Sequence, residues 1–153
     1  MERIKLEDFT RFHFISGLEF SGDGAHACFA VHKANLDQND YDSNLWVLET
    51  ESGRYFQLTA LNKERAFTWL KDSEHIVFMG LRDPKDRERR ESGDEFSVFY
   101  KISIHGGEAV KFFDVPFTVS LIEQIDSDNF LLLAAYNPAR PSLAGLDEAE
   151  RAK

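Results

Sequence analysis

The densest set of potential ligands in this chain is an acidic run, Asp37-Gln38-Asn39-Asp40-Tyr41-Asp42. Several side-chain oxygens so close together are what a hard cation such as calcium requires. The run lacks the glycine that a helix-loop-helix calcium site needs after its third ligand, and no glutamate closes it in register. A solvated polar turn is the simpler reading. The five histidines, His13, His26, His32, His75 and His105, offer no pair at helical ligand spacing, and Cys28 stands alone, so no transition-metal set is legible. A serine nucleophile calls for a sharp strand-to-helix turn, commonly Gly-x-Ser-x-Gly. Ser21 comes nearest, but position 19 is Glu and the residues after it read as a second strand. Cys28 has no electropositive neighbours in sequence and reads as a small apolar core residue. Gly106-Gly107 joins two strands and opens no helix, so it is no phosphate loop. Trp46 and Trp69 are expected to be largely buried against neighbouring sheets, not stacked on a ligand. From the residues alone the chain offers no catalytic, cofactor-binding or metal-binding set, and no cofactor is called for.

The elements that carry these residues repeat. Leu18-Glu19-Phe20-Ser21-Gly22-Asp23-Gly24 leads to an apolar stretch at 27–31, a polar loop at 35–43, then Asn44-Leu45-Trp46-Val47-Leu48, a turn at Gly53, and Tyr55-Phe56-Gln57-Leu58-Thr59. Phe67-Thr68-Trp69-Leu70-Lys71-Asp72-Ser73 starts the same script again, through 76–79, a charged loop at 82–95, Val98-Phe99-Tyr100-Lys101-Ile102, Gly106-Gly107 and 109–113. Asp23 and Asp72 are 49 positions apart, and Gly53 and Gly107 are 54 apart. Four strands per unit at this period are the signature of a β-propeller blade. Residues 119–125, Asp126-Ser127-Asp128 and 130–135 repeat the first half of the unit once more, without a second half.

The spacing predicts ten strands, at about 15–20, 26–33, 44–50, 54–59, 65–70, 75–81, 96–104, 108–113, 117–125 and 129–136. Leu6, Phe9 and Phe12 share one face of a short helix or turn before them. The expected organisation is an N-terminal helical segment (1–14), a first blade (15–60), a second blade (61–114), the first half of a third (115–137), and the start of a linker or helix (138–153). About two and a half blades fall short of the roughly 4–8 that close a propeller, so the pattern reads as a piece of a longer protein. The near-balanced charges of 82–95 read as a solvated excursion. The apolar strand at 130–135 is expected to be buried on both faces.

Composition narrows the classes. A 42% hydrophobic and 29% charged chain of 153 residues is globular, with length enough for a real core. Fourteen Phe, many beside β-branched residues, favour strands. A net charge of −9 argues against a nucleic-acid partner. No apolar run approaches the roughly 20 residues that span a bilayer, and the first residues show no apolar core of a signal peptide. One cysteine excludes a disulfide framework and favours a reduced, cytoplasmic setting.

Against this frame, residues 6–31 resemble the opening of the prolyl oligopeptidase family, nearest its acylaminoacyl-peptidase branch. The residues concerned are Glu7-Asp8-Phe9, Ile15-Ser16 and Phe20-Ser21-Gly22-Asp23-Gly24. The family's equivalent stretch reads approximately Glu-Asp-Leu, Ile/Val-Ser-Asp-Pro and Phe-Ser-Pro-Asp-Gly. Gly17-Leu18 and Gly22 depart from its usual Asp-Pro and Pro. Leu36-Asp37, Ser43-Asn44-Leu45-Trp46-Val47 and Phe56-Gln57-Leu58-Thr59 are similar to its first blade, and Tyr100-Lys101-Ile102 with Gly106-Gly107-Glu108-Ala109 to its second. The resemblance covers about 6–136. It implies an all-β partial propeller that caps a C-terminal α/β-hydrolase domain carrying Ser, Asp and His, and that restricts which peptides reach the serine. Acylaminoacyl members release N-blocked amino acids. No catalytic position carries over, because none of the motif residues lies here. Blade motifs are shared with TolB-like propellers, so the alternative is a TolB-like or WD-repeat-like module that binds protein partners with no enzyme attached. Expected partners are the hydrolase domain of the parent chain, its peptide substrates and, for the isolated chain, a second copy contacted through the third unit.

Overall fold

The computed structural model describes residues 5–135; the expected linker or helix at 138–153 lies outside them. A 3-10 helix, Leu6–Arg11, comes first. The Asp8 carboxylate accepts the Lys5 amide at 2.8 Å and closes its first turn. Phe9 and Phe12 meet edge-on and both rings remain over half exposed.

Among the described residues ten strands follow. β1 (His13–Phe20), β2 (His26–Asn35), β3 (Asp40–Glu49) and β4 (Tyr55–Gln57) form one antiparallel sheet in that order. β5 (Arg65–Trp69), β6 (His75–Met79), β7 (Ser97–Ser103) and β8 (Val110–Val115) form a second with the same meander, and β9 (Thr118–Gln124) pairs with β10 (Phe130–Ala135). This is the all-β, partial-propeller architecture that the repeat implies. The first hairpin of each unit is tied by its aspartate. Asp23 Oδ1 accepts the Ala25 amide, Asp72 Oδ1 those of Glu74 and His75, and Asp126 Oδ1 those of Asp128 and Asn129. In the first of these turns the left-handed residue is Gly24, at φ +71°.

Two loops differ from expectation. The polar stretch at 35–43 is mostly strand: Lys33 pairs with Asp42, Ala34 with Tyr41 and Asn35 with Asp40, leaving only 36–39 as the turn. The hairpin outlasts its apolar pattern because cross-strand polar contacts, such as Asn35 Nδ2 donating to Asp42 Oδ1 at 3.1 Å, hold the solvated end together. The charged stretch at 82–95 contains a helix, α1 (Pro84–Glu91), capped by the Asp83 side chain on the Lys85 amide with Pro84 in the first turn. It is pinned, not merely solvated. Asp86 is buried and pairs with Lys111 of β8 at 3.1 Å and Arg89 at 3.5 Å, while Arg89 and Arg90 lie over the Phe96 ring.

Strand alternation divides the apolar residues between two layers. Cys28, Ala30, Leu45 and Val47 of the first sheet pack against Trp69, Ile76, Phe78, Val98, Tyr100 and Ile102 of the second. The intervening residues of the second sheet, Val77 and Phe99, face the other way and meet Val119, Ile122, Phe130 and Leu132 of the third unit. The second sheet is thus covered on both faces and each outer sheet on one. Phe130–Ala135 is therefore buried on one face only: Leu131 and Leu133 are 57% and 61% exposed, because nothing among the described residues lies beyond them. Strands β1, β5 and β9, the first of each unit, run side by side, with β5 between the other two.

Candidate functional site

The polar groups of interest gather on and beside these first strands. Ser16 of β1, His32 of β2 and Ser43 of β3 lie in one row across the sheet. His32 Nε2 is 2.6 Å from Ser16 Oγ, and its Nδ1 is 2.6 Å from Ser43 Oγ. The row exists because Ser16 pairs with Ala30 beside a register break at Gly17, while His32 pairs directly with Ser43. Gly17 sits there at φ +66°, and a Cβ on it would come within 3.2 Å of the Phe67 ring of the next sheet. A serine hydroxyl on an imidazole is the first half of a nucleophilic arrangement. The second half differs: behind His32 stands a buried neutral hydroxyl, not a carboxylate that would stabilise an imidazolium. Burial, with Arg65 adding to it, lowers the His32 pKa, so the ring is neutral at pH 7. The arrangement ties three strands together.

Two carboxylates stand out. Glu19 of β1 is pushed up to about 7, mainly by burial and further by the charge of Glu123 on β9. Its backbone carbonyl accepts the Trp69 indole N–H at 3.0 Å, a bond that crosses from the second sheet to the first. Glu64, just before β5, is fully buried, and burial raises its pKa against the pull of Arg82, whose Nη1 is 3.8 Å away. Neither Glu64 Oε1 nor that Arg82 nitrogen has a hydrogen-bond partner among the described residues. The Arg82 guanidinium also lies over the Phe78 and Tyr100 rings, so the pair sits where the first and second sheets join.

The residues singled out by sequence fall elsewhere. Ser21 is buried in its hairpin, donating to Asp23 Oδ1 at 2.6 Å. Cys28 is wholly buried, and burial drives its thiol pKa up, which leaves it an inert apolar residue. In the acidic run, Asp40 serves Lys63 at 2.9 Å and Arg65 at 3.2 Å, and its pKa falls to about 2 through these contacts; Asp42 is engaged by Asn35. Among the described residues no three His, Cys, Asp or Glu side chains converge as metal ligands. Trp69 is buried as expected. Trp46 is not: it is half-buried on the open face of the first sheet, against Tyr55 at 6.1 Å. Sequence reasoning missed the Ser16–His32–Ser43 row and the Glu64–Arg82 pair, since both depend on strand register and sheet-to-sheet packing, which no local motif encodes.

The comparisons with known proteins bear on the sheets, not on a cleft. No family model matches the chain. Over 118 residues it is 30% identical to the uncharacterized peptidase YuxL of Bacillus subtilis (strain 168), a match covering 76% of this chain and 16% of that protein. In fold it superposes on the β-propeller domain of the trilobed protease from Pyrococcus furiosus with a TM-score of 0.55, at 16% identity, covering 81% of this chain and 34% of that one. The fold is that of a β-propeller domain. An acylaminoacyl peptidase in complex with Z-Gly-Gly-Phe-chloromethyl ketone matches with a TM-score of 0.54 and 20% identity over 76% of this chain and 16% of its own. The acylaminoacyl peptidase of Pyrococcus horikoshii gives 0.52 and 19% over 75% and 16%. In sequence the chain is thus similar to a peptidase, and in fold to the β-propeller domains of peptidases. The chain spans about one sixth of the length of the curated peptidase it matches. No helix among the described residues is long and apolar enough to cross a membrane.

Proposed function

We propose that this chain is the noncatalytic N-terminal propeller segment of a cytoplasmic serine peptidase of the acylaminoacyl-peptidase type. In this reading it gates access to a C-terminal α/β-hydrolase domain that the remainder of the parent supplies. The observation that carries the reading is the 118-residue match to a peptidase, at 30% identity, on a chain whose sheets pack as consecutive blades. The His32 environment agrees with a noncatalytic role. The chemistry left to these blades is exclusion: stacked, hydrogen-bonded sheets form a wall whose inner strands admit extended peptides and stop folded ones.

The test is a size series on the full-length parent. Phe20, 60% exposed on the open face of the first sheet, should be covered in a closed ring, so Phe20→Asp should loosen closure without touching the hydrolase. Its kcat/KM on a peptide of about thirty residues should rise relative to that on an acyl-dipeptide, by about tenfold, or 1.4 kcal/mol of lost discrimination. An unchanged ratio would contradict gating. A parent with no acyl-peptide hydrolysis at all would favour the protein-binding alternative.

A further inference from the structure

We infer that two copies of the 153-residue chain, in the absence of further blades, close on one another as a two-fold ring in which the third unit of each covers the first sheet of the other. The inference rests on the packing of the sheets and is independent of the peptidase reading.

The open face of the first sheet is built to be covered. Relative to the turn residues Asp23 and Asp72, Leu18 corresponds to Phe67, Phe20 to Trp69 and Phe29 to Phe78; relative to Gly53 and Gly107, Trp46 corresponds to Tyr100. Phe29 pairs with Trp46 across strands just as Phe78 pairs with Tyr100. In the second sheet this set is sealed against the first, with Phe67, Trp69, Phe78 and Tyr100 all at 7% exposure or less. In the first sheet Leu18 and Phe20 stand 58% and 60% exposed. The opposite face type lies open on the third unit, where Leu121, Leu131 and Leu133 are exposed. Leu131 alternates with Leu132, which is packed inward on the second sheet, as Cys28 and Val77 alternate with Phe29 and Phe78.

Both intrachain interfaces join these two unlike face types, and the described residues leave one of each uncovered. A second copy supplies the complement to both at once. The third unit is two strands of about six residues, or about 20 Å by 10 Å. A single such contact falls well short of the roughly 800 Å² per partner of a stable complex. The two contacts must therefore form together, and a two-fold axis makes them equivalent and closes the assembly. Two copies then give six sheets, within the range of roughly 4–8 over which propellers close.

Sedimentation velocity or light scattering over a concentration series tests this on the whole chain, with Phe20→Asp and Leu133→Asp as the variants, one on each open face. The wild type should run at twice the 17.6 kDa monomer mass at micromolar concentration and above. Each variant should weaken dimerisation at least tenfold, and an equimolar mixture of the two, which restores one contact of two, should stay as weak. A dimer indifferent to Phe20→Asp but lost in Leu133→Asp would mean that third units pair with each other and would overturn the ring. A monomer at all concentrations, or a mass that keeps growing past the dimer, would overturn it as well. Circular dichroism checks that each variant is folded. If either is not, Tyr55→Lys and Leu131→Lys, 66% and 57% exposed on the same two faces, take their places.

Discussion

Replacing Trp69 by alanine should be among the most damaging single changes in this chain, and its size can be worked from the contacts. The ring is 7% exposed in the layer between the first and second sheets. Its indole N–H donates to the Glu19 carbonyl at 3.0 Å, and the His26 ring lies 6.4 Å away. Truncating a buried aromatic side chain costs about 3–5 kcal/mol in lost transfer energy and residual cavity. Stranding the Glu19 carbonyl places the expected value for Trp69→Ala toward the upper half, near 4 kcal/mol. Trp69→Phe keeps most of the apolar volume but loses the bond between sheets, so it should cost about 1–2 kcal/mol. Trp46→Ala, on the half-buried open face, should cost no more than about 2 kcal/mol. Urea titration followed by circular dichroism, at one fixed protein concentration below that at which the chain dimerises, reads all three. With a slope of about 2 kcal/mol per molar, the Trp69→Ala midpoint should fall by about 2 M. If Trp46→Ala proved as costly as Trp69→Ala, the assignment of covered and open faces would be wrong.

Other outcomes follow from the buried charges. The Glu19 pKa is raised to about 7 against an ordinary 4.5, so the folded state holds a proton that the unfolded chain gives up. Its contribution to stability should therefore be fully present below about pH 4.5 and be lost as pH rises through about 7; Glu19→Gln should flatten that slope, and an unchanged slope would remove Glu19 as its source. Asp86→Ala leaves Lys111 and Arg89 without their shared carboxylate and should cost about 1–2 kcal/mol, with hydrogen exchange accelerated in 84–91 before the sheets open. The isolated chain should neither hydrolyse acyl-aminoacyl chromogenic substrates above buffer nor take up a serine-directed fluorophosphonate at Ser16, since no carboxylate stands behind His32. Labelling that His32→Gln abolishes would make the Ser16–His32–Ser43 row a working nucleophile.

Much of the fold was legible because its signals are local. Each blade announces itself by an aspartate that caps its own hairpin and by aromatic and β-branched residues alternating between two layers. Where polar groups hold structure over long separations, the pattern misleads. Helix α1 is a proline and seven charged residues, with no apolar face; its anchor is Asp86 meeting Lys111, 25 positions on. The far end of the β2–β3 hairpin is mostly polar and still paired. Trp46 lies on the third strand of the first sheet, yet burial also depends on what lies beyond the sheet, which a repeat alone does not reveal. The Ser16–His32–Ser43 row and the Glu64–Arg82 pair are products of register and packing, so no spacing in the sequence foretold them.

Whether these blades open a serine peptidase is decided by the coding sequence downstream of Lys153 in the source genome. A peptidase parent should show further strand–aspartate–strand units followed by a Gly-x-Ser-x-Gly motif set between a strand and a helix, with Asp and His after it in that order. An open reading frame that ends after additional blades, with no such motif, would contradict it and leave a protein-binding propeller in its place.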